Sequence, residues 1–378
     1  MPDITPIPLA RLTTLRTGGT PERMIDAHTT DELVDALRDV WASGDEWLVL
    51  GGGSNLFVGD ESFAGTVVRV LTKGIERMPS PLSGRVRLRV QAGHDWDDLV
   101  GFAVAEGLGG IEAMSGIPGT VGAAPVQNIG AYGQEIVQTL SEVELLDEST
   151  GEVSTVPAAE LGLGFRTSVL KHHYGSVPAR RAVILSVTLD LPEIGQGARR
   201  IAGDQLRTAL RLGPDDEATL AWVRERILET RRTKGMVLDA DDPDTYSAGS
   251  FFQNAVVSAS FARTLPEACP RWPVHPDLDP VLVIPLANFD GYVPAPTTVE
   301  SDVKVSAGWL IEHAGVRKGF RLPRSRAGLS TKHALALTNR GSATAAELAE
   351  LARFIQGRVQ SEFGLILQPE PVLVNVEL

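Results

Sequence analysis

Apolar positions along the chain follow two periods that alternate irregularly. Leu33, Val34, Leu37 and Trp41 recur at helical spacing behind Thr29-Thr30-Asp31-Glu32, a capping-box pattern, so a helix is predicted from there to about Ser43. The apolar run Trp47-Leu48-Val49-Leu50 that follows reads as a buried strand. Arg85-Val86-Arg87-Leu88-Arg89-Val90 alternates strictly, which predicts a half-exposed strand with its arginines in solvent. Asp95 then precedes Trp96, Leu99, Val100 and Ala103, the inward stripe of a capped helix that Gly107 ends.

Strands are expected again at Val143–Leu146 and Val183–Leu189, joined through the turn Glu148-Ser149-Thr150-Gly151 and a longer irregular section. Residues 192–204, rich in Gly and Arg, read as a loop. Helices are predicted near Glu217–Arg232, with Leu220, Val223 and Ile227 inward, and at Thr344–Phe363, with Leu348, Leu351, Ile355 and Val359 inward. The polar stretch Asp239-Ala240-Asp241-Asp242-Pro243-Asp244 between them reads as a domain boundary. Helices and strands mix without regular alternation, so an α+β fold is expected rather than a doubly wound parallel sheet.

Composition narrows the function classes. The length of 378 residues suggests ~2–3 domains. A net charge of −13 opposes non-specific attachment to nucleic acid or anionic membrane, so an anionic ligand needs a local site. The single cysteine, Cys269, rules out an internal disulfide framework and fits a reducing compartment. No apolar stretch approaches a membrane span and no export signal opens the chain, which predicts a cytoplasmic protein. The seven histidines are scattered apart from His172-His173 and form no metal-ligand motif, so no catalytic metal is expected.

Two glycine-rich loops carry the candidate chemistry: Gly51-Gly52-Gly53-Ser54-Asn55 and Gly116-Ile117-Pro118-Gly119-Thr120-Val121-Gly122. Consecutive backbone N–H groups without Cβ obstruction can approach a diphosphate, and two such loops point to a dinucleotide. Neither opens a crossover helix in the manner of a nicotinamide-binding fold, and no phosphate loop of the nucleotide hydrolases is present. Ala248-Gly249-Ser250-Phe251-Phe252 is not a hydrolase nucleophile elbow. Taken singly, each of these motifs is a turn.

In order, however, Gly51–Asn55, Gly116–Ala123, Gln127–Gly133, Arg166–Lys171, Ala248–Phe252, Ala307–Ile311 and Pro369-Glu370 resemble the UDP-N-acetylenolpyruvoylglucosamine reductase family, from about Thr14 to Val376. The resemblance implies an α+β fold with a two-part FAD-binding unit of the vanillyl-alcohol-oxidase type and a C-terminal substrate-binding domain. The division it implies is residues 1–76 and 77–235 for the two FAD-binding subdomains, 236–366 for the substrate domain, and a last strand, 367–378, returning to the first subdomain.

The activity implied is a step of peptidoglycan precursor synthesis. NADPH reduces non-covalently bound FAD, and a hydride from flavin N5 then adds to the terminal vinyl carbon of UDP-N-acetylglucosamine enolpyruvate. Arg166 and Glu370 match the family's active-site arginine and glutamate, which stabilise the enolate, and Ser250 matches the general acid that protonates it. Since a glutamate helps an enolate only as a donor, Glu370 is expected to be protonated when substrate is bound.

The cofactor wall implied by the resemblance comprises Leu50, Gly51, Gly52, Gly53, Ser54 and Asn55, then Ser115, Gly116, Pro118, Gly119, Gly122 and Ala123, with Val126, Ile129, Gly130, Ile184 and Arg231. Substrate contacts are expected from Tyr132, Lys234, Asn254, Lys318 and His333. Lys318 stands in Arg317–Arg326, a run with five cations and no acid. The partners implied are the UDP-sugar and NADPH, with no nucleic acid and no membrane, and the chain is expected to act as a monomer.

The chain departs from the family pattern at two places. Phe165 stands where a tyrosine usually precedes the active-site arginine, and Ala202 is the nearest match to a substrate-closing tyrosine found in one branch. Two other readings stay open: an oxidase of the same fold, for which Ser250 and Glu370 would lack a role, and a non-catalytic flavin- or nucleotide-sugar-binding paralogue.

Overall fold

The structure, a computed structural model, describes residues 3–171, 179–274 and 302–378; His172-His173 lies outside them. The first helix spans Thr30–Ser43 with the full capping box in place: the Thr29 side chain accepts from Glu32 N and the Glu32 carboxylate accepts from Thr29 N. It covers a sheet in which Phe63–Val70 is the centre, flanked in parallel by Pro21–Ala27 and Glu46–Leu50. The central strand is apolar on both faces, as a buried parallel strand must be, with Val67 and Val68 fully buried.

A second sheet is antiparallel throughout, in the order Val153–Pro157, Leu140–Asp147, Ala182–Pro192, Arg85–Gln91, Ile75–Met78. Its strand Arg85–Gln91 alternates buried and half-buried positions as its sequence predicts. The arginines are not simply solvated. Arg87 sits directly opposite Asp190 and pairs with it at 2.6 Å, and Arg89 reaches Glu144 at 2.7 Å. Antiparallel register brings the acids beside the arginines, a contact that alternation within one strand cannot announce. Leu33 and Leu37 of the first helix, Val68 and Val70 of the parallel sheet, Leu88 and Val90 of the antiparallel one, and Leu99 and Val100 of the helix Trp96–Ala105 share one core.

The Gly- and Arg-rich stretch is more ordered than a loop. Arg199-Arg200 pairs with Glu217-Ala218, and a helix begins at Asp204. Because 217–218 is taken up by that pairing, the next helix starts later than the expected Glu217, at Leu220, the first residue of its apolar stripe, where the Thr219 side chain accepts from Trp222 N. It ends at Thr233, with Arg231 and Arg232 in its last turn.

The C-terminal part is built on the helix Ala345–Phe363, which packs Leu348, Leu351, Ile355 and Val359 against Leu310, Ile311 and the hairpin Ala327–Leu329/Leu337–Asn339. Leu15 and Phe57 join this core from the N-terminal part. The strand Val372–Val374 pairs in parallel with Leu56–Val58. Asp60 accepts from Ala345 N and Ala346 N at 2.7 and 3.0 Å, placing a carboxylate at the positive end of the long helix. The acidic stretch 239–244 is drawn into the fold: Asp244 is buried and accepts from Thr331 N and from the Thr331 hydroxyl, and pairs with Arg340 at 2.6 Å. Burial raises its carboxyl, and these donors more than offset that and hold it below the ordinary carboxylate range. Among the described residues no helix is long and apolar enough to cross a membrane.

Candidate active site

A cavity of about 570 Å³ lies where the two glycine loops, the antiparallel sheet and the C-terminal segment meet. Glycine is required there for contact between the loops themselves. A Cβ on Gly52 would stand 2.6 Å from Gly119 Cα, and Gly119, at φ +124°, would drive one to 2.7 Å from Ser54 Oγ. Ser54 Oγ donates to the Pro118 carbonyl at 2.8 Å, so the loops form one double wall.

Most of the expected cofactor wall lines this cavity: Gly51, Gly52, Gly53, Ser54, Asn55, Pro118, Gly119, Gly122, Ala123, Val126, Ile129, Gly130, Ile184 and Arg231. Leu50, Ser115 and Gly116 sit behind it. Leu50 is buried among Leu9, Met24 and Val67, and Ser115 Oγ donates to the Glu112 carbonyl. Gly116 N donates to Asp97, which also holds Arg224, and its carbonyl accepts from Arg231. These residues shape the turn behind the cavity wall.

Arg231 supplies an independent sign that the cavity is built for an anionic or carbonyl-bearing ligand. Its Nη2 donates to the carbonyls of Gly116 and Met236, but its buried Nε–H has no partner. Arg231 lines the cavity, where it places a cation beside the glycine walls. Those open walls and this cation fit an FAD, whose diphosphate is anionic.

Arg166, Ser250 and Glu370 all line the same cavity. Arg166 adopts a left-handed backbone conformation, φ +55°, a costly geometry for a long side chain. Its guanidinium is fixed on three sides, donating to the carbonyls of Gly130 at 3.0 Å and Asn128 at 3.3 Å and pairing through Nε with Glu370 Oε1 at 3.1 Å. Glu370 arrives from the far end of the chain by backbone pairing: Glu370 N donates to the Phe251 carbonyl, Gln253 N to the Gln368 carbonyl, and Phe252 bridges Pro369. The aromatics after Ser250 hold that crossing in place. Phe251 and Phe252 are fully buried, and Phe251 meets both Phe252 and Phe57 edge to face. Ser250, on the cavity side, has no hydrogen-bond partner among the described residues.

None of the expected substrate contacts lines the cavity, and four of them, Tyr132, Lys234, Lys318 and His333, form a second cluster. Lys234 Nζ stands 5.6 Å from the Tyr132 ring centroid. Burial, then Lys234, Lys318 and Arg231, lowers His333 to about 4, so it is neutral near pH 7. Its Nδ1 accepts from Leu335 N, which leaves the proton on Nε2 as a donor. Burial and Arg231 likewise lower Lys234. Asn254 stands apart from them, its side-chain oxygen accepting from Ala307 N at the start of the helix Ala307–His313.

Phe165 is used differently from a tyrosine. Lys304 Nζ lies 4.5 Å from its ring centroid, a cation–π contact. Ala202 is exposed beside Ile201, which packs in the small core that Tyr132 adjoins. Reading the sequence alone did not single out Lys304, or Lys171, whose ammonium reaches Gln127 and the Glu370 carbonyl. Lys171 closes the Arg166 motif, and that position was its only signal.

Residues 21–156 match an FAD binding domain family, and residues 241–374 match the C-terminal domain of UDP-N-acetylenolpyruvoylglucosamine reductase. The chain is 51% identical to a UDP-N-acetylenolpyruvoylglucosamine reductase from Leifsonia xyli, over 99% of both chains. It is 46% identical to the protein of that name from Saccharopolyspora erythraea, over 98% of this chain and 95% of the other. The crystal structure of the Thermus caldophilus reductase matches with a TM-score of 0.59 at 26% identity, over 99% of each chain. With the glycine double wall inside the first of these matches, Ser250 and Glu370 inside the second, and 51% identity over almost its whole length to a protein of that name, the chain belongs to the UDP-N-acetylenolpyruvoylglucosamine reductase family.

Proposed function

We propose that the chain reduces the enolpyruvyl ether of UDP-N-acetylglucosamine enolpyruvate to UDP-N-acetylmuramate, with NADPH as the source of electrons. The observation that carries this reading is the convergence of Arg166, Ser250 and Glu370 on the cavity walled by both glycine loops. FAD, when bound against the glycine walls, would supply the hydride that this reduction needs at the terminal vinyl carbon. Negative charge then moves onto the ether-bearing carbon and its carboxylate. Arg166, held by the Gly130 and Asn128 carbonyls, is oriented to take up that charge. Ser250 Oγ delivers a proton to the ether-bearing carbon, completing the lactyl ether, and regains one from solvent.

Glu370 accepts from Arg166 through Oε1. Its proposed role as donor to the enolate requires that it be protonated when substrate is bound. The Tyr132, Lys234, Lys318 and His333 cluster suits the nucleotide-sugar diphosphate, since it combines cations with the Nε2–H donor of a neutral histidine. Residues 1–76 and 77–235 for the FAD unit, 236–366 for the substrate domain, the returning segment 367–378, action as a monomer and a cytoplasmic location complete the proposal.

Anaerobic stopped-flow absorbance at the oxidised flavin band tests it. Bleaching by NADPH followed by rapid recovery on adding the enolpyruvyl sugar is the expected result. Recovery only on admitting oxygen would point to an oxidase, and bound flavin that never turns over to a binding protein.

A further inference from the structure

Lys171 is buried, 6% exposed, yet its ammonium has no carboxylate as a hydrogen-bond partner among the described residues. It donates to Gln127 Oε1 at 3.0 Å and to the Glu370 backbone carbonyl at 3.1 Å. Gln127 Oε1 also accepts from Asn55 Nδ2 at 2.8 Å. An ammonium can only donate, so the Gln127 atom facing it must be the oxygen. A side-chain amide has no steric preference between its two ends. Here the lysine and Asn55 decide it, leaving Gln127 Nε2, which has no partner among the described residues, on a side chain that lines the cavity.

The same ammonium holds the backbone of Glu370, whose side chain meets Arg166. Packing alone gives no reason for a lysine here, because a methionine would fill similar volume without removing a charge from water. Burial lowers Lys171 to about 8, partly countered by Glu370 and reinforced by Arg166. One side chain thus joins the first glycine loop, the segment after the second, the Arg166 motif and the C-terminal segment.

We propose that Lys171 is a positioning residue for the reaction, turning the Gln127 amide so that its NH₂ is offered to the flavin and holding Glu370 at the level of Arg166. This rests on the proposed reductase reading only for its second half, since the Gln127 part concerns cofactor binding alone.

The test is a double-mutant cycle of Lys171→Met and Gln127→Ala. It is read by the FAD dissociation constant of the apoprotein, from flavin fluorescence, and by the apoprotein thermal midpoint. Expected is a rise in dissociation constant of about tenfold for either substitution, with little added by the pair, because the lysine acts through the glutamine. Additive effects, or a lowered midpoint with FAD affinity unchanged, would overturn the proposal and leave Lys171 a structural residue. In single turnover, Lys171→Met should slow reoxidation by the enolpyruvyl sugar more than reduction by NADPH, and equal slowing would overturn the Glu370 half. If Lys171→Met does not fold, Lys171→Leu, which likewise has no donor, takes its place with the same expected outcomes. Wild-type flavin that binds but is not reoxidised by the sugar would sink the reductase reading while leaving the FAD cycle interpretable.

Discussion

The guanidinium of Arg166 meets the carboxylate of Glu370 at 3.1 Å, with side chains only 21% and 15% exposed, although the two come from opposite halves of the chain. A partly buried pair of this kind is costly to break from one side, because the remaining charge loses its counter-charge. Glu370→Gln should retain a hydrogen bond to Arg166 and keep an NH₂ donor for the enolate, so it should lose less than about 1 kcal/mol of stability and slow flavin reoxidation by less than about tenfold. Glu370→Ala, with no donor left, should slow reoxidation by about 100-fold or more and lose about 1–3 kcal/mol besides. Urea denaturation beside single-turnover kinetics separates the two. An Ala variant that reoxidises at the wild-type rate would remove Glu370 from the mechanism.

Ser250→Ala removes a cavity hydroxyl that has no structural hydrogen bond among the described residues. Reduction by NADPH should proceed unchanged, and reoxidation by the enolpyruvyl sugar should slow by about 10²–10⁴, the range of a lost general acid. Equal slowing of both half-reactions would assign Ser250 to cofactor placement instead.

Gly52→Ala inserts a methyl 2.6 Å from Gly119 Cα, backbone against backbone, with no flexible side chain to yield. The two loops must part, so FAD affinity should fall at least about tenfold while the apoprotein midpoint moves little. Fluorescence titration of the apoprotein checks this, and unchanged affinity would show that the double wall is not needed.

His333 has its folded-state value lowered to about 4 from an ordinary 6.5. The unfolded chain therefore takes up this proton at a higher pH than the folded one. The associated stability is fully present above pH ~6.5 and is lost as pH falls through about 4, on the order of 3 kcal/mol at its limit. His333→Gln should flatten the stability profile between those values relative to wild type. Urea midpoints measured at several pH values for both proteins test this, and parallel profiles would contradict a buried neutral histidine.

Local patterning was readable wherever one element decides its own outcome. The Thr29–Glu32 capping box, the alternation of Arg85–Gln91 and the stripe of the helix Ala345–Phe363 depend on near neighbours, and each appears in the structure. Helix starts were less legible, as at Leu220, where a two-residue pairing with Arg199-Arg200 takes up Glu217-Ala218, the expected first residues of the helix. The ordered motifs made Arg166, Ser250 and Glu370 candidates. No periodicity flagged Lys171 or Lys304, because each acts through a partner remote in sequence: Gln127 and Glu370 for one, the Phe165 ring for the other.

The amino-acid order by itself determined the element types, the acidic and disulfide-free character, and the glycines at which loops can approach one another. Tertiary structure alone decided that Gly52 faces Gly119, that Arg87 is paired with Asp190 rather than solvated, and that Glu370 is carried to Arg166 by its backbone pairing with Phe251. The reason is physical: propensity, capping and amphipathic period are short-range along the chain, whereas cavity walls and ion pairs depend on register and crossing, set only when separate cores pack together.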